Sequence, residues 1–117
     1  MLTNKNCTRY YSNLQENRVA KSLGGRVVAN SGGTKFAAGD VIIDSADMLV
    51  ECKTSMTDKK SFSIQEEWVE KNTKDAFAVR KTNTALAFSF DSDASNVYYV
   101  INEKLMKFLV EKLAENS

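Results

Sequence analysis

The chain has no histidine and no proline, and only two cysteines and five glycines among its 117 residues. The lack of histidine excludes the Ser-His-Asp triad, the Cys-His dyad and histidine-ligated zinc together, so any catalysis must use carboxylates, lysines, hydroxyls and metal. Without proline, internal repeats or low-complexity tracts there is no mark of a linker, and residues 1–117 are expected to form one domain. Cys7 and Cys52 have neither the paired spacing of a zinc site nor the density of a disulfide scaffold, so both are read as reduced thiols. No run is long and apolar enough to cross a bilayer, and Met1-Leu2-Thr3-Asn4-Lys5 lacks the apolar block of a signal peptide; a cytoplasmic protein with no membrane partner and no organic cofactor is expected. The formal net charge of +1 is uninformative about nucleic acid, because a basic face can be balanced by acids elsewhere.

What is present alternates between helical and strand patterns. Thr8 to Leu23 reads as a helix stopped by Gly24-Gly25. Arg26-Val27-Val28-Ala29 reads as a short strand, and Asn30-Ser31-Gly32-Gly33-Thr34 as a turn-forming loop. Val41-Ile42-Ile43 and Met48-Leu49-Val50 follow as two strands of a meander around Asp44-Ser45-Ala46-Asp47. Ser63-Ile64-Gln65-Glu66 matches a capping box and predicts a long helix with Ile64, Trp68, Ala76 and Val79 on its apolar side, weakened in the middle by Asn72-Thr73. Residues 85–90 and 97–101 predict two more strands, and Asn102 predicts the cap of a last helix carrying Leu105, Leu109 and Leu113. The predicted order is αβββαββα.

The chemistry concentrates in Gly39-Asp40-Val41 and Glu51-Cys52-Lys53. Aspartate and glutamate are hard oxygen ligands suited to Mg²⁺, with Mn²⁺ expected to substitute, and buried carboxylates need a cation or a network to offset their desolvation. Alternation places Leu49, Glu51 and Lys53 on one face and Met48, Val50 and Cys52 on the other, so Cys52 reads as packing rather than as a reactive thiol. Helical spacing puts Glu16 on a face with Val19, Ala20 and Leu23, so this carboxylate points inward. A structural salt bridge to Lys53 or Arg26 and a metal- or water-binding role are equally open for it. The aromatic residues Trp68, Phe77, Phe88, Phe90, Tyr98 and Tyr99 read as core or subunit interface ahead of base-stacking surfaces.

Taken together, Glu16 on a first helix, the Ser31-Gly32 loop, Asp40 opening a strand and Glu51-Cys52-Lys53 ending the next resemble the PD-(D/E)xK nuclease superfamily, and within it the small Holliday junction resolvases of archaeal and phage type. The proline of the superfamily name is absent, with Gly39 before Asp40. The resemblance implies a restriction-endonuclease-like α/β fold: an αβββαβ core with a mixed central sheet flanked by helices, here extended by a C-terminal strand and helix. It implies an endodeoxyribonuclease in which Asp40, Glu51 and the backbone carbonyl of Cys52 hold Mg²⁺, Lys53 steadies the attacking hydroxide or the phosphate charge, Glu16 completes the site with a second ion or a water, and Ser31 lies near the phosphate. A turn-stabilising hydroxyl is an equal reading of Ser31. Arg26, Lys35, Lys59 and Lys60 are the basic residues expected to contact DNA, ahead of Lys5, Arg9, Arg18 and Lys21. The implied partners are branched DNA and a second copy in a two-fold dimer, in a phage or prophage setting. The alternatives are a restriction, repair or flap nuclease with the same site, and a catalytically silent DNA-binding module.

Overall fold

The computed structural model describes residues 8–28 and 40–116. Three helices, α1 (Thr8–Leu23), α2 (Glu66–Ala78) and α3 (Glu103–Glu115), accompany five strands: β1 (Arg26–Val27), β2 (Val41–Ile43), β3 (Met48–Lys53), β4 (Asn83–Phe88) and β5 (Tyr98–Val100). The strands form one mixed sheet in the order β1-β2-β3-β4-β5. Only the central β3–β4 pair is parallel. A parallel neighbour requires a crossover, and α2 provides it.

The sheet is covered on both faces. Val19 of α1 packs with Val41, Ile43, Val50, Ala85 and Ala87, while Ala76 of α2 packs with Ile42 and Leu49 on the opposite face. Two-sided cover explains why Val41, Ile42 and Ile43 are all buried, where a strand with one wet face would alternate apolar and polar. Alternation along β3 is as expected: Leu49 lies in the α2-side cluster, and Val50 in the α1-side cluster with Met48 and Cys52 against it.

Local chemistry sets the joints. Gly24 adopts φ +69°, and the Gly25 amide donates to the Ala20 carbonyl at 2.8 Å, closing the end of α1 in a Schellman-type cap. A Cβ at Gly25 would lie 2.8 Å from both the Ile42 carbonyl oxygen and Val41 Cγ1, so the chain can cross β2 there only without a side chain. Between β2 and β3 a single 3₁₀ turn, Asp44–Ala46, ends at Asp47 with φ +52°. The Asp47 carbonyl accepts from the Asn83 amide and its carboxylate from the Thr82 amide, at 2.9 and 3.2 Å. These bonds fix the start of β4 against the start of β3.

Several boundaries differ from expectation. α2 starts at Glu66 with Gln65 at its N-cap and no side-chain cap bond, so Ser63-Glu66 is not a capping box. The preceding segment instead carries Phe62 onto Phe88, with ring centroids 5.0 Å apart. Asn72 does not weaken α2: it is buried and its side-chain amide donates to the Ala85 carbonyl at 3.0 Å, turning a poor helix former into a pin between helix and sheet. β4 keeps the expected length but lies two residues earlier, ending at Phe88, after which the Ser89 hydroxyl donates to the Asp91 carbonyl at 2.7 Å, and β5 is shorter than expected. Asn102 caps α3 as expected, its Oδ1 accepting from the Leu105 amide at 2.8 Å. Met106, Phe108, Leu109, Val110 and Leu113 of α3 are exposed.

Candidate metal centre

Three carboxylates from three elements meet on the α2 face of the sheet. Asp40 precedes β2, where its backbone carbonyl accepts from the Val28 amide at 2.8 Å. Glu51 lies in β3 and Asp75 on α2, and one carboxylate oxygen from each of the three lies within 4.8 Å of the others. All are buried, with relative exposures of 5% for Asp40, 3% for Glu51 and 7% for Asp75. Asp40 Oδ2 and Glu51 Oε2 are buried without a hydrogen bond among the described residues. Lys53 Nζ lies 3.1 Å from Glu51 Oε2, an ion-pair contact that lacks hydrogen-bond alignment. Buried carboxylates this close together could hold a hard divalent cation, whose charge would offset their desolvation.

The electrostatics follow from this crowding. Burial, and then the neighbouring Glu51 carboxylate, push the Asp40 carboxyl up to about 7, against the opposing pull of Lys71, while the Asp75 and Glu16 carboxylates push it up less strongly. Glu16, on α1, is pushed up to about 7 by burial, with Arg9 opposing. The Cys52 thiol is raised by burial and by the Asp40, Glu16 and Glu51 carboxylates, as befits a packed rather than a nucleophilic cysteine. Lys71 supplies the local positive charge, with Nζ 2.7 Å from Asp75 Oδ2 and 3.6 Å from Glu51 Oε1. Lys53 also lies 4.3 Å above the Trp68 ring centroid.

The sequence-predicted residues divide accordingly. Asp40, Glu51 and Lys53 come together. Glu16 is buried and coupled to Asp40 but is not one of the three clustered carboxylates. The salt bridges considered for Glu16 do not form, because Lys53 is held by Glu51 and Arg26 pairs with Asp44 at 2.9 Å. Arg26 also sits by the turn that follows β2, the opposite end of that strand from Asp40. Cys52 packs its thiol against the α1-side core. Lys59 and Lys60 are exposed on the segment after β3, where the Lys59 amide donates to the Phe90 carbonyl. Ser31 and Lys35, and the loop that contains them, lie outside the described residues.

Sequence reasoning missed Asp75, Lys71 and Gln15. Asp75 and Lys71 share a helix stripe with Trp68, Asn72, Ala76 and Val79, so polar residues on an otherwise apolar face were the available signal. Gln15 is buried and pins α1 in place: its amide donates to the Ala87 carbonyl at 3.3 Å and its oxygen accepts from Thr54 Oγ1 at 2.8 Å. Compared with protein-family models, curated proteins and solved structures, the chain matches none. Among the described residues no helix is long and apolar enough to cross a membrane.

Proposed function

We propose that this chain is a divalent-metal-dependent endodeoxyribonuclease of the PD-(D/E)xK kind, with the four-way DNA junction as the substrate its sequence resemblance implies. The observation that carries this reading is the convergence of three buried carboxylates, Asp40, Glu51 and Asp75, with Asp40 Oδ2 left without a hydrogen bond. Asp40, Glu51 and Asp75 would hold Mg²⁺ or Mn²⁺. Such an ion supplies Lewis acidity toward a phosphodiester oxygen and lowers the pKa of a bound water. Lys53 stands at the edge of the cluster, partly exposed and 3.1 Å from Glu51, where its ammonium can donate to a phosphate oxygen or orient a water. Glu16, pushed up to about 7 by burial, can take up or release a proton near neutral pH and would hold a water rather than carry a fixed charge.

The test is cleavage of a labelled four-way junction beside its matched linear duplex, with Mg²⁺ or with EDTA, and with Glu51→Gln as the contamination control. Symmetric nicking of the junction by the wild type alone, and only with metal, is the expected result. Equal cutting of both substrates would assign the site to a nuclease of another specificity. No cutting of either, under conditions where Mn²⁺ binding is demonstrated, would overturn the nuclease reading.

A further inference from the structure

A continuous series of aromatic rings runs from the carboxylate cluster to the β5 edge of the sheet. Lys53 covers Trp68, and Trp68 lies 6.3 Å from Phe62. Phe62 stacks on Phe88 at 5.0 Å, and Phe88 stacks on Tyr98 at 5.9 Å, both pairs at an interplanar angle of 29°. Phe90 closes the far end, edge-on to Phe88 at 5.4 Å and to Tyr98 at 5.6 Å. The strand register makes this a row: Lys53 is directly opposite Phe88, and Phe88 directly opposite Tyr98. All three therefore share the sheet face that carries Glu51. Two inter-strand steps span about 10 Å, the length of roughly three stacked nucleotides.

The far end of the row is open. Tyr98 is 49% exposed and Phe90 36%. An exposed basic pair lies beside it. The Lys59 amide donates to the Phe90 carbonyl at 2.7 Å, which brings the exposed Lys59-Lys60 pair alongside the rings, and among the described residues neither lysine has a carboxylate partner. Asp58 accepts from the Ser92 amide, and Asp91 accepts from both the amide and the hydroxyl of Ser95, which directs one oxygen of each carboxylate into the 92–95 turn.

We propose that this strip is a stacking platform for unpaired nucleotides of DNA, seating a single-stranded stretch of the substrate beside the carboxylate cluster. The proposal rests on the nuclease reading above and adds to it the form of the substrate next to the cut. Bases would stack on Tyr98 and Phe90, while Lys59, Lys60 and Lys53 meet the backbone.

The test is binding in EDTA, where no cleavage intervenes, of a fluorescein-labelled oligothymidylate against a duplex of equal length, followed by anisotropy. Trp68 is the only tryptophan and lies at the cluster end of the strip, so quenching of its emission reports a strand that extends along the strip to that end. We expect the single strand to bind at least about tenfold tighter than the duplex and to quench Trp68. Tyr98→Ala and Phe90→Ala should each weaken it about fivefold or more, while Tyr98→Phe and Phe77→Ala, the latter on the exposed outer side of α2, should leave it unchanged. Far-ultraviolet circular dichroism establishes that each variant is folded, and the wild-type quenching stands should one fail. Equal affinity for both DNA forms, or folded Tyr98→Ala and Phe90→Ala proteins binding like the wild type, would overturn the platform. Tight single-strand binding by a protein that cuts no DNA would overturn only the nuclease reading, and metal-dependent cleavage with unaltered variant binding would overturn only the platform.

Discussion

The Lys71 ammonium lies 2.7 Å from the Asp75 carboxylate one turn along α2, and 3.6 Å from Glu51 across on β3. Lys71 thus stands as the counter-cation of the cluster, with its stem largely exposed and its head over two of the three carboxylates. A divalent ion entering there would compete with it for the same oxygens.

Lys71→Met should therefore lower the melting temperature in EDTA and enlarge the stabilisation produced by Mn²⁺. Because Lys71 is mostly exposed, the loss without metal should be about 1 kcal/mol, or roughly 4 °C for a domain of this size. Thermal melts of wild type and variant, with EDTA and with Mn²⁺, check both directions. A variant that melts like the wild type in EDTA would show that Lys71 does not neutralise the cluster.

Asp40 and Glu16 make the metal-free protein sensitive to pH. Their folded-state values lie near 7, above the ordinary 3.8 and 4.5, so between about pH 4 and pH 7 the folded protein binds more protons than the unfolded chain. Stability should fall as pH rises through that window, the reverse of a salt-bridged carboxylate. Urea midpoints at pH 5 and pH 7.5 in EDTA should show this decline. Asp40→Asn should remove about half of it, leaving the Glu16 share, and Mn²⁺ should offset it in the wild type, since metal binding favours the ionised carboxylates.

Asp75 should matter to metal affinity as Asp40 and Glu51 do. Calorimetric titration of Asp75→Asn, Asp40→Asn and Glu51→Gln with Mn²⁺ should show at least about tenfold weaker binding for each. Cleavage should be abolished in the Asp40 and Glu51 variants while DNA binding persists. Wild-type Mn²⁺ affinity in Asp75→Asn would remove Asp75 from the ligand set.

Gly25→Ala should destabilise the fold by about 1–3 kcal/mol, because the new Cβ meets a backbone oxygen and a valine methyl at 2.8 Å. Gly24→Ala meets no atom but must adopt φ +69°, and should cost about 1 kcal/mol. Denaturant midpoints of the two variants separate steric overlap from backbone strain, and an equal or smaller loss at Gly25 would contradict the close approach to β2.

Much of the fold was legible in the sequence because its signals are local. The order of helices and strands follows from apolar periodicity, the end of α1 from Gly24-Gly25 and the start of α3 from Asn102. Strand alternation alone put Glu51 and Lys53 on one face and Cys52 on the other. The pairing of Asp40 with Glu51 was also accessible, since a short antiparallel meander brings the start of β2 back to the end of β3.

Only the tertiary structure decided what closes the site. Asp75, Lys71 and Asn72 read along the chain as polar residues on a helix; the crossover lays α2 against β3 and β4, which brings Asp75 and Lys71 to the cluster and Asn72 to the Ala85 carbonyl. Arg26 is sequence-adjacent to the first helix and looked available to DNA, yet β1 carries it to the turn held by Asp44. The aromatic row forms because Lys53, Phe88 and Tyr98 fall into register across three strands, a relationship between residues up to 45 positions apart. Periodicity determines which way a side chain faces within its own element. Which elements then face each other depends on sheet order and crossover geometry, and those are settled by the packing of the whole chain.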